Sequence, residues 1–101
     1  MKLLEIIEIR SAKESQAIIE TITTEYLDAL ESTKNIYAVK IYKNRALSSD
    51  FGIHILRETT ADNEVTHPLI ERIITAFKEH GLVNYGKWIE ITSNARPEGR
   101  E

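Results

Sequence analysis

The chain has 101 residues, an apolar fraction of 42%, a charged fraction of 29% and a formal net charge of −3 at pH 7. These values are typical of one soluble domain, and the acidic balance provides no basic surface for nucleic acid or an anionic membrane. The sequence has no cysteine, which excludes disulfides, thiolate metal sites and cysteine nucleophiles. No apolar run approaches the ~20 residues of a membrane-spanning helix, and Glu5 and Glu8 interrupt any signal-peptide core, so we expect a cytoplasmic protein.

The first part of the chain predicts a strand followed by a helix. Residues 2–10 form the strand, with Leu3, Ile7 and Ile9 on one face. Ser11 is the predicted N-cap of the helix, because Glu14 three residues later completes a capping box. An apolar stripe at helical spacing continues to about residue 31.

Two further strands follow. Residues 36–43 alternate, which predicts Tyr37, Val39 and Ile41 on one face and Ile36, Ala38, Lys40 and Tyr42 on the other. The connection over 44–50 is too short for a helical crossover, so the strand at 51–57 is predicted to be antiparallel to the one before it.

A second helix and a last strand complete the domain. Thr66 or His67 is the predicted cap, and Pro68 fits the first helical turn. Gly81 is predicted to end the helix in the left-handed conformation, with Leu82 packing back on it. Alternation then continues to residue 91, and a bulge at residues 85–86 is an open alternative. We expect one domain over residues 1–92 and a polar tail over 93–101.

The order βαββαβ predicts a ferredoxin-like α+β fold. Right-handed crossovers give a four-stranded antiparallel sheet of order 4-1-3-2 with both helices on one face. The opposite face, called the free face below, should be mostly polar in a monomer. It is instead predicted to present the apolar or aromatic side chains of Leu4, Ile6, Ile36, Tyr42, Leu56 and Trp88. We therefore expect a homodimer in which a second copy covers this face.

The free face also contains polar residues that suggest a ligand site. We predict a pocket walled by Trp88 and Tyr42, with His54 as its titratable group. The predicted ligand contacts are Glu8, Lys40 and Asn84. In the alternative interpretation the charges form salt bridges of an ordinary dimer interface and the indole is a packing anchor. A shift of one residue in strand register would instead place the histidine in the helix-side core.

These features together suggest a family. The two βαβ halves, the ending GLVNYGKWIEI after an amphipathic helix, and the aromatic-lined free face resemble the dimeric α+β barrel superfamily, in particular the antibiotic biosynthesis monooxygenase-like small proteins. The resemblance implies a barrel formed by the sheets of two subunits, with a cleft between helices and sheet that in the family binds polycyclic aromatics or haem. It also implies cofactor-independent oxygenation of a small aromatic or apolar ligand, for which His54 would be the base and Tyr42 and Trp88 the aromatic wall. The haem-degrading members use an asparagine on the first strand. Here that strand has Glu8 and no asparagine, so haem degradation is not expected.

The sequence lacks the residues and motifs that several other functions require. RNA-recognition domains stack bases on aromatic residues of the first strand, which here has none. His54, His67 and His80 lie on three different elements without metal-ligand spacing, and no phosphate-binding loop or nucleophile elbow occurs. We expect neither a metal nor a cofactor. A non-catalytic dimerisation or ligand-sensing module is the alternative function.

Overall fold

The computed structural model describes residues 2–59 and 66–91. The elements follow the predicted βαββαβ order. They are β1 (Lys2–Ser11), a short 3-10 turn (Lys13–Ser15), α1 (Gln16–Glu31), β2 (Ile36–Lys43), β3 (Asp50–Glu58), α2 (Pro68–Lys78) and β4 (Gly81–Ile89). The predicted tail over 93–101 lies outside the described residues.

The sheet has the predicted topology. Its order is β2-β3-β1-β4, which is 4-1-3-2 counted from the other edge, and all three pairings are antiparallel. Strand β1 is central because it pairs with β3 on one side and β4 on the other. The predicted ferredoxin-like fold is therefore confirmed.

Both helices pack on the face formed by the odd-numbered residues of β1, β3 and β4. Ile7, Ile19, Ile70, Ile73 and Phe77 are completely buried in the core there. Helix α2 begins as predicted, since the Nδ1 atom of its N-cap His67 accepts a hydrogen bond of 3.0 Å from the backbone N–H of Leu69. Pro68 occupies the first turn, where no backbone donor is required.

The predicted capping box at Ser11 is wrong. This residue is the last of β1, and its backbone N–H and hydroxyl both donate to the carbonyl oxygen of Ser49, at 2.9 and 3.2 Å. Helix α1 begins only at Gln16, after the 3-10 turn, and its N-cap makes no side-chain hydrogen bond. A contact distant in sequence has thus prevailed over a local helix-start signal.

The predicted role of Gly81 is also wrong. It is the first residue of β4, and its φ does not lie in the left-handed region. A Cβ atom there would lie 2.2 Å from the carbonyl oxygen of Arg10, so glycine is required by the close approach of two backbones. Leu82 does not pack back on α2, because its side chain is 77% exposed. The left-handed residue between α1 and β2 is Asn35, with φ 70°.

The strand irregularity lies in β2 rather than β4. The β1–β4 register is continuous from Leu3 to Ser11, whereas β2 shifts against β3 between Ile36 and Ala38. Ile36 consequently packs against the core while Tyr37 is 58% exposed, which reverses the prediction for these two residues. The predicted faces of Ala38, Val39 and the rest of the strand are correct.

Candidate functional site

Cross-strand pairing arranges the free face in rows of four residues, one from each strand. Three rows cross the sheet in the order β2, β3, β1, β4: Tyr42–Gly52–Glu8–Asn84, Lys40–His54–Ile6–Gly86 and Ala38–Leu56–Leu4–Trp88. The first row is mainly polar and the third is entirely apolar. The free face therefore has a polar end and an apolar end, a division that alternation along each strand does not reveal.

A hollow of about 390 Å³ lies at the polar end. Its lining includes the side chains of Glu8, Tyr42, His54 and Asn84. Gly52 lies between Tyr42 and Glu8 in the same row and has no side chain to fill the space. The depression thus results from a glycine in the middle of a polar row.

The β2–β3 side of the hollow is aromatic. The rings of Tyr42 and His54 lie with their centroids 4.6 Å apart and their planes tilted by 53°. Tyr42 is 48% exposed, so its ring remains available for contact. A flat apolar ligand can pack against the Tyr42 ring here, with the His54 imidazole beside it.

The β1–β4 side of the hollow is polar. The Asn84 side-chain amide donates to Glu8 Oε1 at 3.3 Å, and both residues are exposed. Beyond them, the guanidinium of Arg10 donates two hydrogen bonds of 3.0 Å to Asp50. These hydrogen bonds hold the pKa of the Asp50 carboxyl below its usual range.

Four of the six predicted site residues come together in this hollow: Glu8, Tyr42, His54 and Asn84. Lys40 pairs with His54 across the β2–β3 ladder but does not line the hollow. Trp88 is four residues from Asn84 along β4, roughly 13 Å away at about 3.3 Å per residue. It belongs to the apolar row beside Leu4 and is 63% exposed.

Sequence reasoning missed a polar cluster on the helix side of the sheet. Glu5 is completely buried, and it accepts hydrogen bonds from Arg57 Nε at 2.8 Å, from Arg57 Nη2 at 3.4 Å and from the Tyr85 hydroxyl at 2.5 Å. Burial first, and the hydrogen bond to Glu5 second, raise the pKa of the Tyr85 phenol. The phenol thus remains a protonated donor. The available signal was a charged residue in an otherwise apolar core pattern, at Glu5 in β1 and at Arg57 in β3.

The described residues offer no metal centre and no membrane span. Within residues 2–59 and 66–91 there is no group of three or more histidine, cysteine, aspartate or glutamate side chains that could hold a metal ion. No helix in those same ranges is long and apolar enough to cross a bilayer.

The fold defined by these elements is that of the antibiotic biosynthesis monooxygenase-like proteins, as predicted. The structure is similar to that of Rv0793 from Mycobacterium tuberculosis, with a TM-score of 0.77, 6% sequence identity, and coverage of 94% of this chain and 100% of that one. It is also similar to a proposed antibiotic biosynthesis monooxygenase from Deinococcus radiodurans, with a TM-score of 0.73, 12% identity, and coverage of 96% and 99%. The N63A mutant of SnoaB, a cofactor-independent oxygenase from Streptomyces nogalater, gives a TM-score of 0.67, 8% identity, and coverage of 91% and 95%.

Sequence comparison adds nothing to this structural similarity. No protein-family model matches the chain, and no curated protein matches it either. At identities of 12% or lower, these three similarities establish the fold and not the activity.

Proposed function

We propose that this chain is a cytoplasmic, homodimeric α+β barrel protein that binds a small aromatic or apolar ligand on its free face. We further propose that it oxygenates this ligand without a metal or cofactor. The observation that supports the proposal is the hollow beside Tyr42 and His54, on a sheet face that no described helix covers. The description of SnoaB as a cofactor-independent oxygenase supports the choice of chemistry.

The apolar end of the free face supports the homodimer. Leu4, Leu56 and Trp88 form one continuous row there, and Trp88 is 63% exposed. Four strands of about nine residues present roughly 20 Å by 30 Å of sheet, or ~600 Å². That area approaches the ~800 Å² per partner of a standard interface, and a twofold axis would bring apolar rows of two copies into one contact.

A charge introduced into this row tests the dimer. We expect Trp88→Arg to convert a dimer into a monomer in sedimentation equilibrium at micromolar concentration, because a buried arginine without a partner opposes association. Ile18→Arg is the matched control, since Ile18 is 44% exposed but lies on α1. A wild-type chain that remains monomeric at millimolar concentration would refute the homodimer.

The proposed chemistry assigns one role to His54 and one to Tyr42. His54 accepts a proton from an acidic C–H or O–H group of the ligand, and Tyr42 holds the ring of the resulting anion. The anion transfers one electron to dioxygen, and the ligand radical and superoxide combine to form a peroxide anion. The His54 imidazolium then returns its proton to this anion, which gives a hydroperoxide. Loss of water from the hydroperoxide leaves a carbonyl group, so dioxygen is the oxidant and the ligand is oxidised.

Ligand binding and turnover are tested separately. We expect saturable binding of planar aromatic compounds, measured by calorimetry, to be lost in Gly52→Leu because the new side chain fills the hollow. Ala38→Leu adds a comparable side chain to the apolar row and is the matched control. Oxygen consumption with an electron-rich phenol should fall at least about 100-fold in His54→Gln if the imidazole is the general base. No binding by any member of a broad aromatic panel would favour the non-catalytic dimerisation module.

A further inference from the structure

Two acids and two bases line the hollow, but only one acid and one base among them form an ion pair with each other. Arg10 and Asp50 bind each other through two hydrogen bonds, so this pair adds no net charge. Glu8 has no ion pair within residues 2–59 and 66–91, and the neutral amide of Asn84 is its hydrogen-bond partner there. Lys43 also lines the hollow, but it pairs with Phe51 on the helix side of the sheet, and its Nζ lies 5.6 Å from that ring. Glu8 is therefore the carboxylate of the hollow that has no ion pair in the described part of the chain.

Covering the free face would impose a desolvation free energy on the charged Glu8 carboxylate. Glu8 is exposed in the single chain, where water solvates it. A second copy packed on the sheet would remove much of this water, and a carboxylate withdrawn from water requires a cation or several hydrogen-bond donors. A ligand with a cationic group would supply the missing charge.

The rings of Tyr42 and His54 lie at a suitable distance from the Glu8 carboxylate. Tyr42 is on β2 and Glu8 on β1, two strand spacings or about 10 Å apart, with Gly52 between them. A single ring with a short aliphatic arm spans this distance. Its ring would contact Tyr42 and His54 while the end of its arm reaches Glu8.

We propose that the hollow binds an aromatic amine, with the ring against Tyr42 and His54 and the ammonium group bonded to Glu8 and Asn84. This inference rests on the proposed function, because it names the ligand class of the same free-face site. It goes beyond that function by requiring a positive charge on the ligand.

Three probes with similar rings separate the contributions of ring and charge. They are phenethylamine, phenethyl alcohol and hydrocinnamate, titrated at pH 7 while the backbone amide signals of Gly52 and Asn84 are followed by NMR. We expect the amine to bind at least about tenfold more tightly than the alcohol, because its hydrogen bond to Glu8 is charge-assisted. We expect hydrocinnamate to bind more weakly than the alcohol.

Two variants identify the charge responsible. Glu8→Gln should make the amine and the alcohol bind equally. Glu14→Gln, which removes an exposed acid that does not line the hollow, should leave the preference unchanged. Preference for hydrocinnamate, or an amine preference that survives Glu8→Gln, would overturn the aromatic-amine inference and leave the aromatic-ligand proposal standing. If no aromatic compound shifts the Gly52 signal, both proposals are overturned.

Discussion

Removal of the buried Glu5 carboxylate should destabilise the fold more than removal of any exposed charge. Its side chain is 0% exposed, and it accepts two hydrogen bonds from Arg57 and one from Tyr85. Glu5→Ala leaves the Arg57 guanidinium, in a side chain that is 13% exposed, without its acceptor. Breaking a buried ion pair from one side costs about 3–5 kcal/mol, a large part of the ~5–15 kcal/mol that stabilises a domain of this size.

Replacing both Glu5 and Arg57 should change the stability of the fold less than replacing either one alone. Replacing both members with apolar residues of similar volume, as in Glu5→Leu with Arg57→Met, removes both buried charges and should recover most of the loss. The double variant should then lie within about 1.5 kcal/mol of the wild type. The wild type, Glu5→Leu, Arg57→Met and the double variant form a double-mutant cycle. Its coupling energy should exceed ~2 kcal/mol, since the two side chains are in direct contact.

Urea unfolding followed by circular dichroism at 25 °C and pH 7 gives the four free energies. Asp50→Ala is the control, because it breaks an ion pair whose side chains are 60% and 23% exposed, and its effect should be much smaller. A Glu5→Ala protein that loses less than about 1 kcal/mol would refute the assignment of this cluster as a buried, paired unit.

Three other predictions concern stability. Gly81→Ala should lower the free energy of unfolding by about 3 kcal/mol or more, because its Cβ would lie 2.2 Å from the Arg10 carbonyl oxygen. Gly52→Ala should lower it by under about 1 kcal/mol, because the nearest contact of a Cβ there is 3.8 Å away. Urea unfolding measures both. His67→Ala should cost about 1 kcal/mol through loss of the α2 N-cap, and an unchanged urea midpoint would contradict this. The raised pKa of Tyr85 means that the folded state holds its proton more tightly than the unfolded state. The contribution of Tyr85 to the free energy of unfolding is therefore complete below the unfolded pKa of about 10, and it is lost as the pH rises above that value. Tyr85→Phe should make the fall in stability between pH 9 and 11 less steep.

Strand faces could be predicted wherever the pairing register is continuous. Strands β1, β3 and β4 alternate without interruption, so His54 and Glu8 lie on the predicted free face. In β2 the sequence IYAVKIYK is apolar at both odd and even positions near its start, and either phase satisfies the pattern. The bulge between Ile36 and Ala38 leaves no mark in that periodicity, because an extra residue is visible only in pairing with β3.

The division of the candidate site into two ends could not be predicted from the sequence. Alternation assigns Trp88 and His54 to one face, but only the register shows that they lie in different rows. The same limit applies to Glu5, since its partners Arg57 and Tyr85 are 52 and 80 residues away in the chain. A local pattern identifies a polar residue in a core, and three-dimensional pairing identifies what satisfies it.

Strand β1 connects the two polar regions while keeping them separate. Its odd-numbered residue Glu5 contributes to the helix-side cluster, and its even-numbered residue Glu8 lines the hollow on the opposite face. The cluster is buried and internally paired, so its energy stabilises the sheet whether or not a ligand is present. Glu8 is exposed and paired only with an amide, so a ligand or a second copy changes its environment. It follows that Glu5 variants that remain folded should bind aromatic probes like the wild type, while Glu8 variants should change binding with little loss of stability.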